Sequence, residues 1–266
     1  MIIGFWSEKA GRGSCTYNML ATGLAMAERS REKVVLMQGK KDYNRIEYAF
    51  IPYENNEFFK EDYGYYNYGG IDSVITKIEN ETMTSQELMK ELIRVNKTNI
   101  FYLPSTREGD EKRFLQAFER IKLKYLEFFK SQKEIVLLEL GSGYESINQE
   151  VADRLDMLVI NISQVDSSLE KILNRRELKT KTMILVGSYD DNSKFSVGNI
   201  RHKNNISETN IGAIPYNTRF RDAVCSGRSQ EFYERHKNSE KNDSEYFFIQ
   251  SIESAADSIM KICRIE

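Results

Sequence analysis

The chain has 266 residues, 40% of them hydrophobic, and a formal net charge of -2. That is enough apolar material for one large core and too little positive charge to coat nucleic acid without sequence preference. No apolar stretch approaches the roughly 20 residues that span a bilayer and no basic-then-apolar leader opens the chain, so a cytoplasmic protein without a transmembrane segment is expected. Cys15, Cys225 and Cys263 are widely spaced and suit free thiols, while His202 and His236 are too few for a zinc site.

Residues 2–6 read as a buried strand. Behind them come Lys9, Ala10, Gly11, Arg12, Gly13, Ser14, Cys15 and Thr16, then Met19, Leu20, Leu24 and Ala27 at helical spacing, then the apolar run 34–37. Strand, glycine-rich turn, helix and strand make a βαβ unit. In a phosphate-binding loop, glycines let successive N–H groups close around phosphate oxygens, a lysine reaches the terminal phosphates, and a Ser or Thr hydroxyl holds Mg²⁺. Here Ser14 stands in the lysine place and Cys15 in the hydroxyl place, so the chemistry is partly stripped out. A serine carries no charge, a sulfur is a poor Mg²⁺ ligand, and Thr16 is one place late. Arg12 reads equally as a substitute cation and as a solvated loop arginine; Arg219, Arg221 and Arg228 compete only if the fold returns their segment to the loop. Cys15 reads as a thiolate favoured by the helix dipole or as an inert buried thiol, and the second is preferred.

Residues 42–70 carry Tyr43, Tyr48, Tyr53, Tyr63, Tyr65, Tyr66 and Tyr68 among Asn and acidic residues. They read as a long, structured insertion, a partner surface or a lid on a sheet edge, the lid being favoured. Helical periodicity covers 85–95, 112–130, 149–154, 167–177 and 246–263, and short apolar runs at 99–103, 135–140, 157–162, 183–186 and 211–214 read as strands. Residues 188–210 read as surface loops around one short helical turn. The alternation predicts an α/β fold, a doubly wound, mostly parallel sheet with helices on both faces, in a single domain over 1–266. The terminal helix, about 245–263, has Phe247, Ile249, Ile252, Ala256, Ile259 and Cys263 on its apolar face and no Lys/Arg row opposite, so it is expected to dock on the core rather than on a membrane.

Lys9 ahead of Gly11 and Gly13, the strand 34–40, the strand 135–141 with Glu139, and the run from Ile211 through Gly212, Ala213 and Ile214 to Pro215 together resemble the MinD/ParA class (SIMIBI) of P-loop ATPases over nearly the whole chain. The resemblance implies ATP or ADP, with Mg²⁺, bound by Lys9, Ala10, Gly11, Arg12, Gly13, Ser14, Cys15 and Thr16, and the adenine base beside Pro215 and Asn217. It also implies a homodimer in which Lys9 reaches the partner's nucleotide, Lys9 and Glu139 as the catalytic candidates, and Cys15 and Glu139 as the candidates for the metal. Glu139 is otherwise simply an acidic strand end, and Gly141 to Gly143 either a ligand-responsive switch or an ordinary tight turn. Ser14 replaces the P-loop lysine, Gln38 and Lys40 replace acidic residues of the second strand, and Glu139 replaces the Walker B Asp, so the Walker A motif is degenerate.

The loop is similar, more narrowly, to the atypical TadZ/CpaE-type ParA-like proteins that help position Tad/Flp pilus assembly, and residues 3–7 and 214–218 with Asp222 and Ala223 resemble the ParA-like proteins found with Tad/Flp genes in Firmicutes. This implies a nucleotide-binding or pseudo-ATPase positioning and regulatory protein with weak or absent hydrolysis, acting on pilus-assembly or other polar-localised proteins. Two readings stand beside it. One is an active ATPase using Lys9, Arg12 and Glu139 as substitutes; the other is a nucleoid-binding partition protein, motivated by the basic excess over 194–237.

Overall fold

The computed structural model describes residues 1–40, 45–52, 69–105, 111–165, 169–175 and 181–265. Its strands, in chain order, are β1 (Ile2–Ser7), β2 (Val34–Gln38), β3 (Ile93–Arg94), β4 (Ile100–Tyr102), β5 (Ile135–Ser142), β6 (Met157–Ile162), β7 (Thr182–Tyr189) and β8 (Ile211–Pro215). They form one sheet in the order β3-β4-β2-β5-β1-β6-β7-β8, parallel throughout except where β3 meets β4. Parallel strands are buried on both faces, which is why they read as continuous apolar runs.

The period of two along each strand sorts side chains into two cores. Ile3, Phe5, Val34, Leu36, Leu137 and Val159 pack with α1 (Cys15–Arg29), α8 (Thr218–Cys225), α9 (Ser229–His236) and α10 (Tyr246–Cys263). Ile2, Trp6, Val35, Met37, Leu138 and Ile160 pack with α2 (Ile71–Glu79), α3 (Ser85–Glu91), α4 (Glu111–Lys130), α5 (Gln149–Ala152), α6 (Leu169–Leu173) and α7 (Val197–Asn204). The doubly wound, helix-covered sheet expected from the alternation is what forms. β1 lies between β5 and β6, with β2 beyond β5, so the crevice outside its carboxyl end is where ligands of such sheets sit.

Several elements differ from expectation. The helix read over 85–95 stops at Glu91, because Ile93 and Arg94 turn out to pair antiparallel with Tyr102 and Phe101. The helix read over 149–154 ends at Ala152, with Asp153 at its C-cap, and that over 167–177 is seen as α6, which ends at Leu173 although Asn174 and Arg175 are described. The polar stretch 188–210 holds two turns of α7 and the 3₁₀ turn Glu208–Asn210. α2 was missed although Ile71, Val74, Ile75 and Ile78 fall at helical spacing and are all buried. Of the Tyr-rich insertion, most of residues 42–70 lie outside the described residues; the 3₁₀ turn Ile46–Ala49 within it buries Ile46, Glu47 and Ala49.

α10 docks along α1 and β8 as expected, with Ile249, Ile252, Ala256, Ile259 and Cys263 buried. Its register corrects one position: Phe248 is inside and Phe247 is 49% exposed. No described helix is long and apolar enough to cross a membrane. Ile252, fully buried at this seam, is a sensitive probe of docking. Ile252→Ala is expected to lower stability by about 2–5 kcal/mol through lost burial and a cavity, read as a lower urea midpoint at unchanged slope.

Candidate functional site

The loop after β1 is anchored from below and open above. Lys9, Ala10, Gly11 and Arg12 are exposed. Ala10 is not among the positive-φ residues; the left-handed turns fall on Gly11 (φ 73°) and Ser14 (φ 52°), the second a strained conformation for a non-glycine at the N-cap of α1. Gly13 lies against β6, where a Cβ would stand 2.6 Å from the Asn161 carbonyl oxygen, and a Cβ on Gly187 would stand 2.3 Å from the Gly13 carbonyl oxygen. Asn18 Nδ2 donates to that Gly13 oxygen (3.0 Å) and to Asn161 Oδ1 (2.8 Å), while Asn161 Nδ2 donates to the Trp6 carbonyl (3.3 Å). The first-turn N–H groups of α1 have no intrahelical acceptor, which leaves them directed at the crevice.

The segment carrying Arg219, Arg221 and Arg228 does return to the loop, through one residue. Arg221 Nη2 donates to Ser14 Oγ (3.0 Å) and Ser188 Oγ (2.9 Å), and the two hydroxyls bond each other at 2.7 Å. Its guanidinium lies between two rings, 4.2 Å from the Tyr17 centroid and 4.6 Å from that of Tyr216, a cation–π sandwich. Arg219 instead pairs with Glu245 at 3.2 Å. Sequence reasoning missed Ser188, Tyr17 and Tyr216, whose only signal was spatial.

Arg221 also fills the place expected for a base. Between Ser14, Tyr17, Pro215, Asn217, Phe220 and Arg221 there remains about 10 Å³, room for a single water and far too little for a base. Asn217 is engaged at both ends of its amide: Oδ1 accepts from the Phe220 N–H (2.7 Å) as the N-cap of α8, and Nδ2 donates to Glu245. In this conformation a purine does not fit beside Pro215.

On the other side of the loop, Glu139 is 1% exposed at the carboxyl end of β5. Its Oε1 accepts from Thr16 Oγ1 (2.7 Å) and lies 2.9 Å from the Lys40 ammonium; its Oε2 accepts from Gln38 Nε2 (3.0 Å). Gln38 Oε1 in turn accepts from Ser105 Oγ (2.7 Å) and the Ile46 N–H (3.0 Å). Gln38 and Lys40, read from sequence as lost acidic residues, are thus the partners that make a buried Glu139 tolerable. Removing one partner of such a pair typically costs about 3–5 kcal/mol.

The N–H groups at the start of α1 favour an anion, but Mg²⁺ does not fit this donor set. The charge of Glu139 is already neutralised by Lys40, and Cys15 offers sulfur where the hard cation wants oxygen. The described residues hold no group of three or more His, Cys, Asp or Glu able to bind a metal. Burial first, and the neighbouring Glu139 second, push the Cys15 thiol well above the ordinary range, against the opposing pull of Lys40, so the helix dipole does not make it a thiolate. The Gly143 turn is pinned, since the buried Trp6 indole donates to the Gly143 carbonyl (2.9 Å) and to Ser146 Oγ (3.0 Å).

No family model matches the sequence, and no curated protein matches it. Solved structures do match. A ParA family ATPase from Chlorobium tepidum superposes with TM-score 0.69 at 14% identity, covering 96% of both chains. MinD from Pyrococcus horikoshii, complexed with Mg-ADP, gives 0.65 at 14% identity over 98% of this chain and 96% of that one. A plasmid partition protein from Borrelia burgdorferi, bound to AMPPNP, gives 0.57 at 15% identity over 98% of both. The chain has the ParA/MinD fold.

Within this ParA/MinD fold, Arg221 reaches Ser14 on one side of the loop and Lys40 reaches Glu139 on the other, and several cations of the basic stretch 194–237 are already paired. Arg201 pairs with Glu208, Arg219 with Glu245 and Lys237 with Glu28, and Arg221 points into the loop. Because Gly187 touches the loop backbone, Gly187→Ala is expected to cost about 1–3 kcal/mol and to loosen the loop, read as a lower urea midpoint and faster exchange of the Gly13 amide.

The thiols give a second check. Burial pushes Cys263 up to about 11 and raises Cys15, whereas Cys225 is exposed. Both raised thiols ionise more readily in the unfolded chain, so they favour the fold below the ordinary thiol value; Cys263 loses that contribution as pH rises toward about 11, and Cys15 as pH rises well above the ordinary thiol range. At roughly pH 8, a chromogenic disulfide reagent is expected to label Cys225 quickly and the other two only after urea is added.

Proposed function

We propose that this protein is a ParA/MinD-like nucleotide-binding pseudo-ATPase that positions or regulates partner proteins. The observation that carries the reading is the pair of internal cations in the crevice, Arg221 on Ser14 and Lys40 on Glu139. Phosphoryl transfer is catalysed by positioned charge, a lysine on the terminal phosphates and a metal bridging them. Here the first is absent from the loop and the place of the second holds an ammonium. The N–H groups at the start of α1 still favour phosphate, so weak binding of ATP or ADP survives while turnover does not.

The similarity of the loop to TadZ/CpaE-type proteins, and of residues 214–218 to ParA-like proteins found with Tad/Flp genes, supports Tad/Flp pilus assembly as the setting. Exposed Lys9 suits the homodimer of the class, in which it would face the partner's nucleotide. The rival reading of an active ATPase needs Glu139 for chemistry, yet all the hydrogen-bond partners described above already hold it in place.

Calorimetric titration with ATP and ADP, run beside steady-state phosphate release for wild type and Lys9→Ala, separates the readings. Expected are weak saturable binding and phosphate release indistinguishable from a protein-free control. Mg²⁺-dependent turnover of about 1 s⁻¹ or faster, abolished in Lys9→Ala, would overturn the pseudo-ATPase reading.

A further inference from the structure

Resting on the nucleotide reading of the loop, we infer that the Lys40 ammonium is a built-in replacement for the divalent metal, so that this site takes a metal-free nucleoside di- or triphosphate. The ammonium stands on the same Glu139 oxygen that accepts the Thr16 hydroxyl, 2.9 Å and 2.7 Å away respectively. The resemblance implies Cys15 and Glu139 as the candidates for the metal, and Thr16 is the next residue after Cys15. The Glu139 oxygen open to a cation there already holds a positive charge.

The ammonium is fixed rather than adventitious. Lys40 is the second residue after β2, and the preceding Gly39 N–H donates to the Glu139 carbonyl (2.8 Å), which locks the backbone of the lysine beside the carboxylate. Gln38 holds the other carboxylate oxygen and is itself held by Ser105 and the Ile46 N–H, so Glu139 has no freedom to turn toward an incoming ion. The lysine side chain is 26% exposed, which leaves it within reach of a ligand at the loop.

Two consequences follow from charge. A divalent ion brought to Glu139 meets an ammonium a few ångströms away in a poorly solvated crevice, where like charges repel strongly. A polyphosphate meets the reverse, with Lys40 on one side of the loop, Arg221 on the other and the N-terminus of α1 between them. The charge compensation that a metal ordinarily supplies is therefore carried by the chain, and it stays in place whether or not Mg²⁺ is present.

The test is titration of ATP and ADP into wild type, Lys40→Met and Lys40→Gln, each in EDTA and in excess Mg²⁺. Lys40→Gln keeps a neutral donor for Glu139 and serves if the Met variant fails to fold. Wild type is expected to bind with the same affinity in both buffers, and the variants to bind about tenfold more tightly with Mg²⁺ than without. Wild-type binding that tightens about tenfold with Mg²⁺ overturns the proposal, as do variants that bind nucleotide with no metal response. No nucleotide binding by any of the three sinks the nucleotide reading instead. The lysine's role is then decided with Mn²⁺ alone, followed by electron paramagnetic resonance: uptake by the variants but not by wild type supports it, and equal uptake, or none by any, overturns it.

Discussion

A carboxylate buried at the carboxyl end of β5 is the constraint around which the crevice is organised. An ion taken out of water costs several kcal/mol unless it is paired and fully hydrogen-bonded. Glu139 meets that demand with three groups, Thr16 from α1, Gln38 from β2 and Lys40 just beyond it. Satisfying Gln38 in turn draws in Ser105 and the backbone of Ile46, and Glu47 beside Ile46 accepts from the Ser105 N–H at 3.2 Å. One buried charge therefore fixes the loop helix, the end of β2 and two connecting segments relative to one another.

The opposite wall is organised by a cation. Arg221 near the positive end of α1 is held by two hydroxyls and two tyrosine faces, interactions that stabilise a guanidinium without cancelling its charge. Arg221 belongs to α8, whose cap Asn217 also donates to Glu245 at the start of α10. The crevice, α8 and α10 are one hydrogen-bonded unit.

What could be read from residue order follows from how the sheet is buried. β6 and α10 match the expected bounds because a strand covered on both faces, or a helix docked along a core, writes long and regular apolar patterns. β3 left no such pattern, being two residues whose strand character comes from pairing with β4. Phe247 and Phe248 are chemically identical neighbours, and only the seat of α10 on α1 and β8 selects the second for the core.

The loop shows the same division at the level of chemistry. Strand, Gly11, Gly13 and helix are local in sequence, so the fold class was legible from order and spacing. Which distant side chains bond to the loop was not. Arg221 lies 207 positions from Ser14, and Glu139 lies 123 positions from Thr16. Such contacts carry no periodicity; they exist because a parallel sheet gathers the carboxyl ends of distant strands at one edge, where unlike charges and hydroxyls then find one another.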